Sequence, residues 1–368
     1  MSDAAVQKSG PRDPSRRVTP IDTLTSLRFF AACYVLAFHS GTSFVGSRVK
    51  LPQVVTNIFL NGYLGVTFFF LLSGFILAYV YHEGLTDRTS IAQYGAARIG
   101  RIFPVYLLTL VAEIILKGFH GWADIPQFFL LQCWGPEKSR IFSNDNGPAW
   151  TLSVELFFYF ALPFVLALFA KTRKFTLPII GLAVLMVAVQ GPGTPSHEGY
   201  PYPGLDSVVP IVLLRLPEFI LGVCMGLRFL RGPALSARAA NGLLIASLVI
   251  IAAALCISQS SFSGSVASVG FAGLIYSMAA ANRYQSVNSL LRSNIMIFLG
   301  RASFSLYILQ EPVHDYLLLV TPSRFVEQML FYPVLFAVAC LVHVFYEENA
   351  RRFIRSLIGG NAPVARTS

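Results

Sequence analysis

The stretch GYLGVTFFFLLSGFILAYVYH, residues 62–82, holds no Asp, Glu, Lys or Arg and is long enough to cross a bilayer core, which takes about 20 mostly apolar residues. Working outward from it, similar segments fall at 24–44, 101–117, 149–170, 177–190, 208–229, 241–258, 264–281, 295–320 and 330–350. The composition agrees. Of 368 residues 55% are hydrophobic and only 12% charged, against about 25% charged in a soluble domain. That argues against an ordinary soluble enzyme and against intrinsic disorder. The five cysteines form no CxxC pair, which argues against a disulfide scaffold or a zinc module. The expected fold is all-α: a polytopic integral membrane protein of about ten transmembrane helices. Residues 1–22 read as a disordered cytoplasmic tail, 23–352 as the membrane domain and 353–368 as a cytoplasmic C-terminal tail. No cleavable signal peptide is visible. The segment IPQFFLLQC, 125–133, is too short to cross and fits an interfacial or re-entrant helix.

Basic residues orient this scheme, because cytoplasmic loops hold the excess of Lys and Arg. With the N-terminus inside, twenty of the 28 fall on that side and five on the other, which puts both termini in the cytoplasm. The net charge of +10 then reports topology, and nucleic acid is not expected as a partner.

Ionisable side chains inside spans cost at least about 2.5–3.5 kcal/mol each, so each one invites a functional reading. Arg28 and His39 lie eleven residues apart, almost three full helical turns, and so share a face about 16 Å apart along the axis. The bland alternative is a snorkelling arginine and a histidine bonded to a neighbouring helix. Arg98 and Arg101 share a face at the cytoplasmic edge of the third span, either as topological charges or as a phosphate clamp. Glu155, two turns into the fourth span, lies beyond the reach of the helix dipole. It calls for a partner, either His39 at similar depth or a structural cation. Ser153 and Thr151 sit beside it, and hydroxyls in membrane helices more often join helices than act as nucleophiles. Glu113, Gln310, Glu311, His314 and Asp315, with the pair Arg215 and Glu218, suggest a polar cavity on the outer side. The bland reading of that last pair is an internal ion pair.

In order and spacing these motifs resemble the acyltransferase 3 family of bacterial inner-membrane O-acyltransferases. The resemblance rests on TSLRFFAACYVLAFHS (25–40), NGYLGVTFFFLLSGFIL (61–77), Arg98 with Arg101 as an RxxR motif, AWTLSVE (149–155), RLPEFILGV (215–223) and GRASFSLYILQEPV (300–313). It covers about residues 20–350. It implies transfer of an acyl group, commonly acetyl, from cytoplasmic acyl-CoA to a hydroxyl of a carbohydrate or lipid-linked glycan, in a bacterial inner membrane and without a metal. A homodimer or a glycan-assembly partner fits the same picture. Two departures stand out. Gln310 occupies a position where many members have histidine, and the residues after 350 are too few for the SGNH-type domain that some members append.

The chemistry needs a base, oxyanion stabilisation and a site for the CoA phosphates. The expected arrangement puts the phosphates on Arg98, Arg101 and Arg28, with His39 as general base and Glu155 orienting it. Ser153, a backbone N–H or a tyrosine would serve the oxyanion. A covalent acyl-enzyme ranks second, because no GxSxG elbow exposes a serine. A secondary transporter is the rival from another class, although neither inverted repeats nor paired broken helices are evident.

Overall fold

The computed structural model describes residues 20–45, 51–83, 85, 88–135, 146–172, 174–190, 209–257, 261–283 and 289–357. The tails expected at 1–22 and 353–368 therefore lie mostly outside the described residues. Among those described there is no strand, and the described residues of the ten apolar segments read from the sequence lie mostly on helix. Among the described residues six helices are long and apolar enough to cross a membrane: Gln53–Tyr81, Arg88–Lys117, Gly147–Leu168, Ala237–Cys256, Phe262–Ala281 and Arg324–Leu357.

The chain opens with α1 (Asp22–Val45), then α2 (Gln53–Leu60), which a tight turn joins to α3 (Leu64–Tyr81). The long α4 (Arg88–Lys117) begins thirteen residues before the apolar run, because nothing between Arg88 and Arg101 breaks a helix. A one-turn α5 (Ile125–Phe128) follows, then α6 (Trp150–Leu168) and α7 (Thr176–Gln190). Next come α8 (Ile211–Leu214) and α9 (Leu216–Arg231), split at Arg215 because Pro217 in the first turn of α9 cannot donate to the turn before it. The helices α10 (Ala237–Cys256), α11 (Ser261–Arg283), α12 (Asn294–Ile308), α13 (Gln310–Val320) and α14 (Arg324–Leu341) complete the bundle, with a π-helical turn, Val342–Glu347, leading into α15 (Glu348–Leu357). Ser236, Ser293 and Ser323 cap α10, α12 and α14 by accepting N–H bonds from the first turn.

The most buried spans are Phe262–Ala281 of α11 and Gln53–Tyr81 of α2 and α3, at 78% and 72%, against 17% for α10 on the periphery. Glycines permit that burial. A Cβ on Gly222 of α9 would lie 2.1 Å from the Leu71 carbonyl, and one on Gly74 of α3 would lie 2.2 Å from the Phe219 carbonyl, so the two backbones touch.

The segment 121–134 folds into the bundle. Tyr106 donates to the Gln127 carbonyl at 2.6 Å and Ser153 to the Leu130 carbonyl at 2.6 Å, while Leu130 is fully buried at φ +56°. The α-helix expected over 125–133 is reduced to the single turn of α5.

At two prolines the carbonyl left without its helical donor is taken up by a side chain from another part of the chain. Pro163 removes the N–H that would reach the Tyr159 carbonyl, and Tyr94 on α4 donates there at 3.0 Å. Pro312 does the same to Ile308, and Asn146 donates to that carbonyl at 2.9 Å.

Candidate active site

Arg28 of α1, Ser73 of α3, Arg101 of α4, Glu155 of α6 and Ser303 of α12 converge on one cavity, whose apolar walls include Val66, Phe69, Phe70 and Tyr307. Its volume of about 60 Å³ has room for a few waters or a thin chain, not a sugar ring. The level of the cavity follows from the packing of α3 on α1. Gly65 faces Ala31 and Val35, so Val66 at the outer end of the cavity lies level with Ala31–Val35.

Arg28 and Arg101 lie within electrostatic reach of each other and of Glu155. Among the described residues neither arginine has a carboxylate within ion-pair distance. Glu155 instead accepts a hydrogen bond from Tyr159 at 2.5 Å. A half-buried site with two guanidiniums and one carboxylate, none of them in a close ion pair, suits an anionic or strongly polar guest.

Of the residues expected from the sequence, Arg28, Arg101 and Glu155 meet here. The other three lie elsewhere. Arg98 sits between the rings of Tyr81 and Tyr159, at 5.9 and 5.6 Å from their centroids, a cation–π arrangement next to the cavity. Ser153 is fully buried and its hydroxyl holds the Leu130 carbonyl. It acts as a strut for the re-entrant segment and does not line the cavity. Cys133 in that segment is a poor nucleophile as well, since burial pushes its thiol up to about 12.

His39 and Glu155 are not brought together. Glu155 stands at the level of Arg28, and His39 is some 16 Å farther out along α1, exposed, with its ring edge-on to Phe38 at 5.2 Å. The sequence placed both in the outer half of the membrane. In the structure Glu155 shares the cavity with Arg28 and Arg101, one helical turn from Tyr159, whose carbonyl Tyr94 of α4 holds.

Of the polar residues expected on the outer side, the Gln310 side chain is buried without a hydrogen-bond partner among the described residues, and the charged ones pair. Lys117 bridges Glu113 at 2.9 Å, Asp315 at 2.9 Å and Glu311 at 3.3 Å, which ties α4 to α13. Glu311 also accepts the Gly147 N–H at 2.6 Å. Arg215 and Glu218 form the internal pair, 2.8 Å apart, beneath Thr67.

A further group sits on the last helix, where its charges read only as topological. Glu347 ends the π-helical turn fully buried, accepting from Ser305 at 2.9 Å, meeting His343 Nδ1 at 2.8 Å and pairing with Arg351. Arg351 in turn lies within reach of Arg101 and Arg28. The four-residue spacing of His343, Glu347, Arg351 and Arg355 was the available signal.

A family model described as an acyltransferase domain matches residues 21–347. Acyltransferase MdmB of Streptomyces mycarofaciens is 29% identical over 325 residues, covering 82% of this chain and 80% of that protein. Nodulation protein 10 of Rhizobium leguminosarum bv. viciae is 26% identical over 43% of this chain and 48% of its own length. Peptidoglycan O-acetyltransferase OatA of Listeria monocytogenes is 28% identical over 50% of this chain and 31% of its own length. No solved structure matches the chain.

Proposed function

We propose a reaction from one premise: this chain belongs to the acyltransferase 3 family and is an acyltransferase. It is a multi-pass membrane enzyme that moves an acyl group, acetyl in the simplest case, from cytoplasmic acyl-CoA to a hydroxyl of a carbohydrate, such as a surface polysaccharide or its lipid-linked precursor. It crosses a bacterial inner membrane ten times with both termini in the cytoplasm. The observation that carries this reading is the cavity in which Arg28 and Arg101 face Glu155 without a close ion pair. The similarity to a peptidoglycan O-acetyltransferase favours a carbohydrate acceptor.

Arg101, with Arg98 beside it, holds donor phosphates at the cytoplasmic end, and the narrow cavity takes the pantetheine arm. Arg28 and Glu155 hold the amides and hydroxyl of that uncharged arm by hydrogen bonds. The arm threads outward past Val66 and Tyr307 toward His39, which meets the acceptor. His39 removes the hydroxyl proton, the oxygen attacks the thioester carbonyl, the C–S bond breaks, and the leaving thiolate takes the proton back.

The test uses protein in nanodiscs with radiolabelled acetyl-CoA and a carbohydrate acceptor. His39→Ala is expected to lower turnover at least a hundredfold, the scale of general-base catalysis, with CoA affinity retained. Glu155→Gln is expected to weaken both. Wild-type protein that releases no CoA with any acceptor would refute the reading, and His39→Ala turning over within threefold of wild type would remove the base.

A further inference from the structure

The cytoplasmic halves of α4 and α15 pack antiparallel, with Gly100 facing Ile354 and the backbone of Arg351. This sets two pairs of arginines against each other. Arg101 lies within electrostatic reach of Arg351 and Arg355, and Arg98 within reach of Arg355. Along their helices Arg98 and Arg101 are separated by about 4.5 Å of rise, and Arg351 and Arg355 by about 6 Å.

Four guanidiniums this close repel one another, and the protein offsets that only in part, through the tyrosine rings about Arg98 and one close carboxylate. Glu347 pairs with Arg351. Among the described residues Arg98, Arg101 and Arg355 have no carboxylate within ion-pair distance. The Nε atoms of Arg98, Arg351 and Arg355 are buried without a hydrogen-bond acceptor. Buried donors held in such an array need acceptor oxygens from outside, and planar forks suit phosphate best. The array is also held rigid. Ser305 and His343 bind one oxygen of Glu347 while Arg351 takes the other, so α15 cannot swing away without breaking a buried network.

We infer that α15 supplies the second wall of a polyphosphate cradle for the nucleotide end of the acyl donor, an inference that rests on the acyl-CoA reading above. Arg101 lines the cavity and so marks the inner rung. The Arg101 and Arg351 rung takes the diphosphate from which the pantetheine arm rises. The Arg98 and Arg355 rung, nearer the cytoplasm, takes the ribose 3′-phosphate. Arg351 and Arg355 thus select for the donor's nucleotide.

The experiment compares kcat/KM for acetyl-CoA, acetyl-3′-dephospho-CoA and S-acetylpantetheine in phosphatidylcholine nanodiscs, for wild type, Arg355→Gln, Arg355→Lys and Arg351→Gln. Arg355→Gln is expected to lower kcat/KM for acetyl-CoA about tenfold, one charge-assisted phosphate contact, and to erase most of the preference over the dephospho donor. Arg355→Lys should recover part of it. Arg351→Gln should weaken both nucleotide donors and narrow their advantage over S-acetylpantetheine. Calorimetric CoA affinity of monodisperse protein separates binding loss from misfolding. An Arg355→Gln variant that keeps the full preference, or that loses all three donors equally, overturns the cradle. A preference that falls only when anionic lipid is added would show that the rung holds a lipid phosphate instead. Wild type inactive with every thioester would fail the acyl-CoA reading itself.

Discussion

Arg215 and Glu218 show how a buried charge is retained in this bundle. Both are nearly fully buried, Arg215 donates to Glu218 at 2.8 Å, and its guanidinium lies 5.8 Å from the centroids of both Phe70 and Trp150. Removing one partner strands the other. Arg215→Met should lower stability by about 3–5 kcal/mol, whereas Arg215→Met with Glu218→Leu should recover most of it. Thermal unfolding in detergent would decide, and a double variant no more stable than the single would refute the pairing account. At this scale the sequence was informative for residues that stay near their own helix. The three-residue spacing announced this pair, and the RxxR spacing announced a shared face. It was uninformative for Ser153, whose partner carbonyl lies 23 residues away on a segment with no regular periodicity.

Prolines here either split a helix, as Pro217 does after Arg215, or sit within a continuous one, as Pro163 does in α6. Pro163 and Pro312 each free a carbonyl, and each carbonyl is bonded by a side chain from another element. The account predicts non-additivity. Tyr94→Phe should cost about 1–3 kcal/mol, the price of a bare buried carbonyl, but much less in a Pro163→Ala background, where the helix supplies its own N–H. Equal melting losses in both backgrounds would show that the Tyr94 hydroxyl is not serving that carbonyl. Hydropathy located the apolar runs well because lipid exposure demands them. It misjudged the start of α4, since Arg88–Gly100 is polar but contains no breaker. It also could not set the height of α6 against α1, because that is decided by packing between helices distant in sequence. For that reason His39 and Glu155 looked like neighbours in sequence and are not neighbours in the fold.

Across the whole molecule, charge asymmetry is the strongest message in the sequence and also the one that hid a site. The excess of basic residues on one side predicts an orientation that labelling can check. With native cysteines replaced, Ala234→Cys in the α9–α10 connection should resist a membrane-impermeant thiol reagent in spheroplasts, and Pro322→Cys between α13 and α14 should react. Reaction of both, or of neither, would overturn the ten-span orientation. Arg351 and Arg355 contributed to that same asymmetry, so a count of charges absorbed them as topology. Only the packing of α15 on α4 distinguishes a charge that faces the headgroups from one that faces Arg98 and Arg101.

The π-helical turn at Val342–Glu347 inserts one residue beyond the α-helical repeat. In a regular α-helix one added residue would turn everything after it by about 100° and advance it by about 1.5 Å; the wider π-turn absorbs the residue, so the helix that follows keeps its face. Read at α-helical spacing, the sequences of α14 and α15 are therefore out of phase by one residue, although they belong to one continuous rod. A homologue lacking that single residue would close the turn to a regular α-helix and keep its guanidiniums on the face that packs against α4. Around this turn, a one-residue alignment gap is therefore compatible with the arginine face, and the residues that follow it decide whether a relative keeps it.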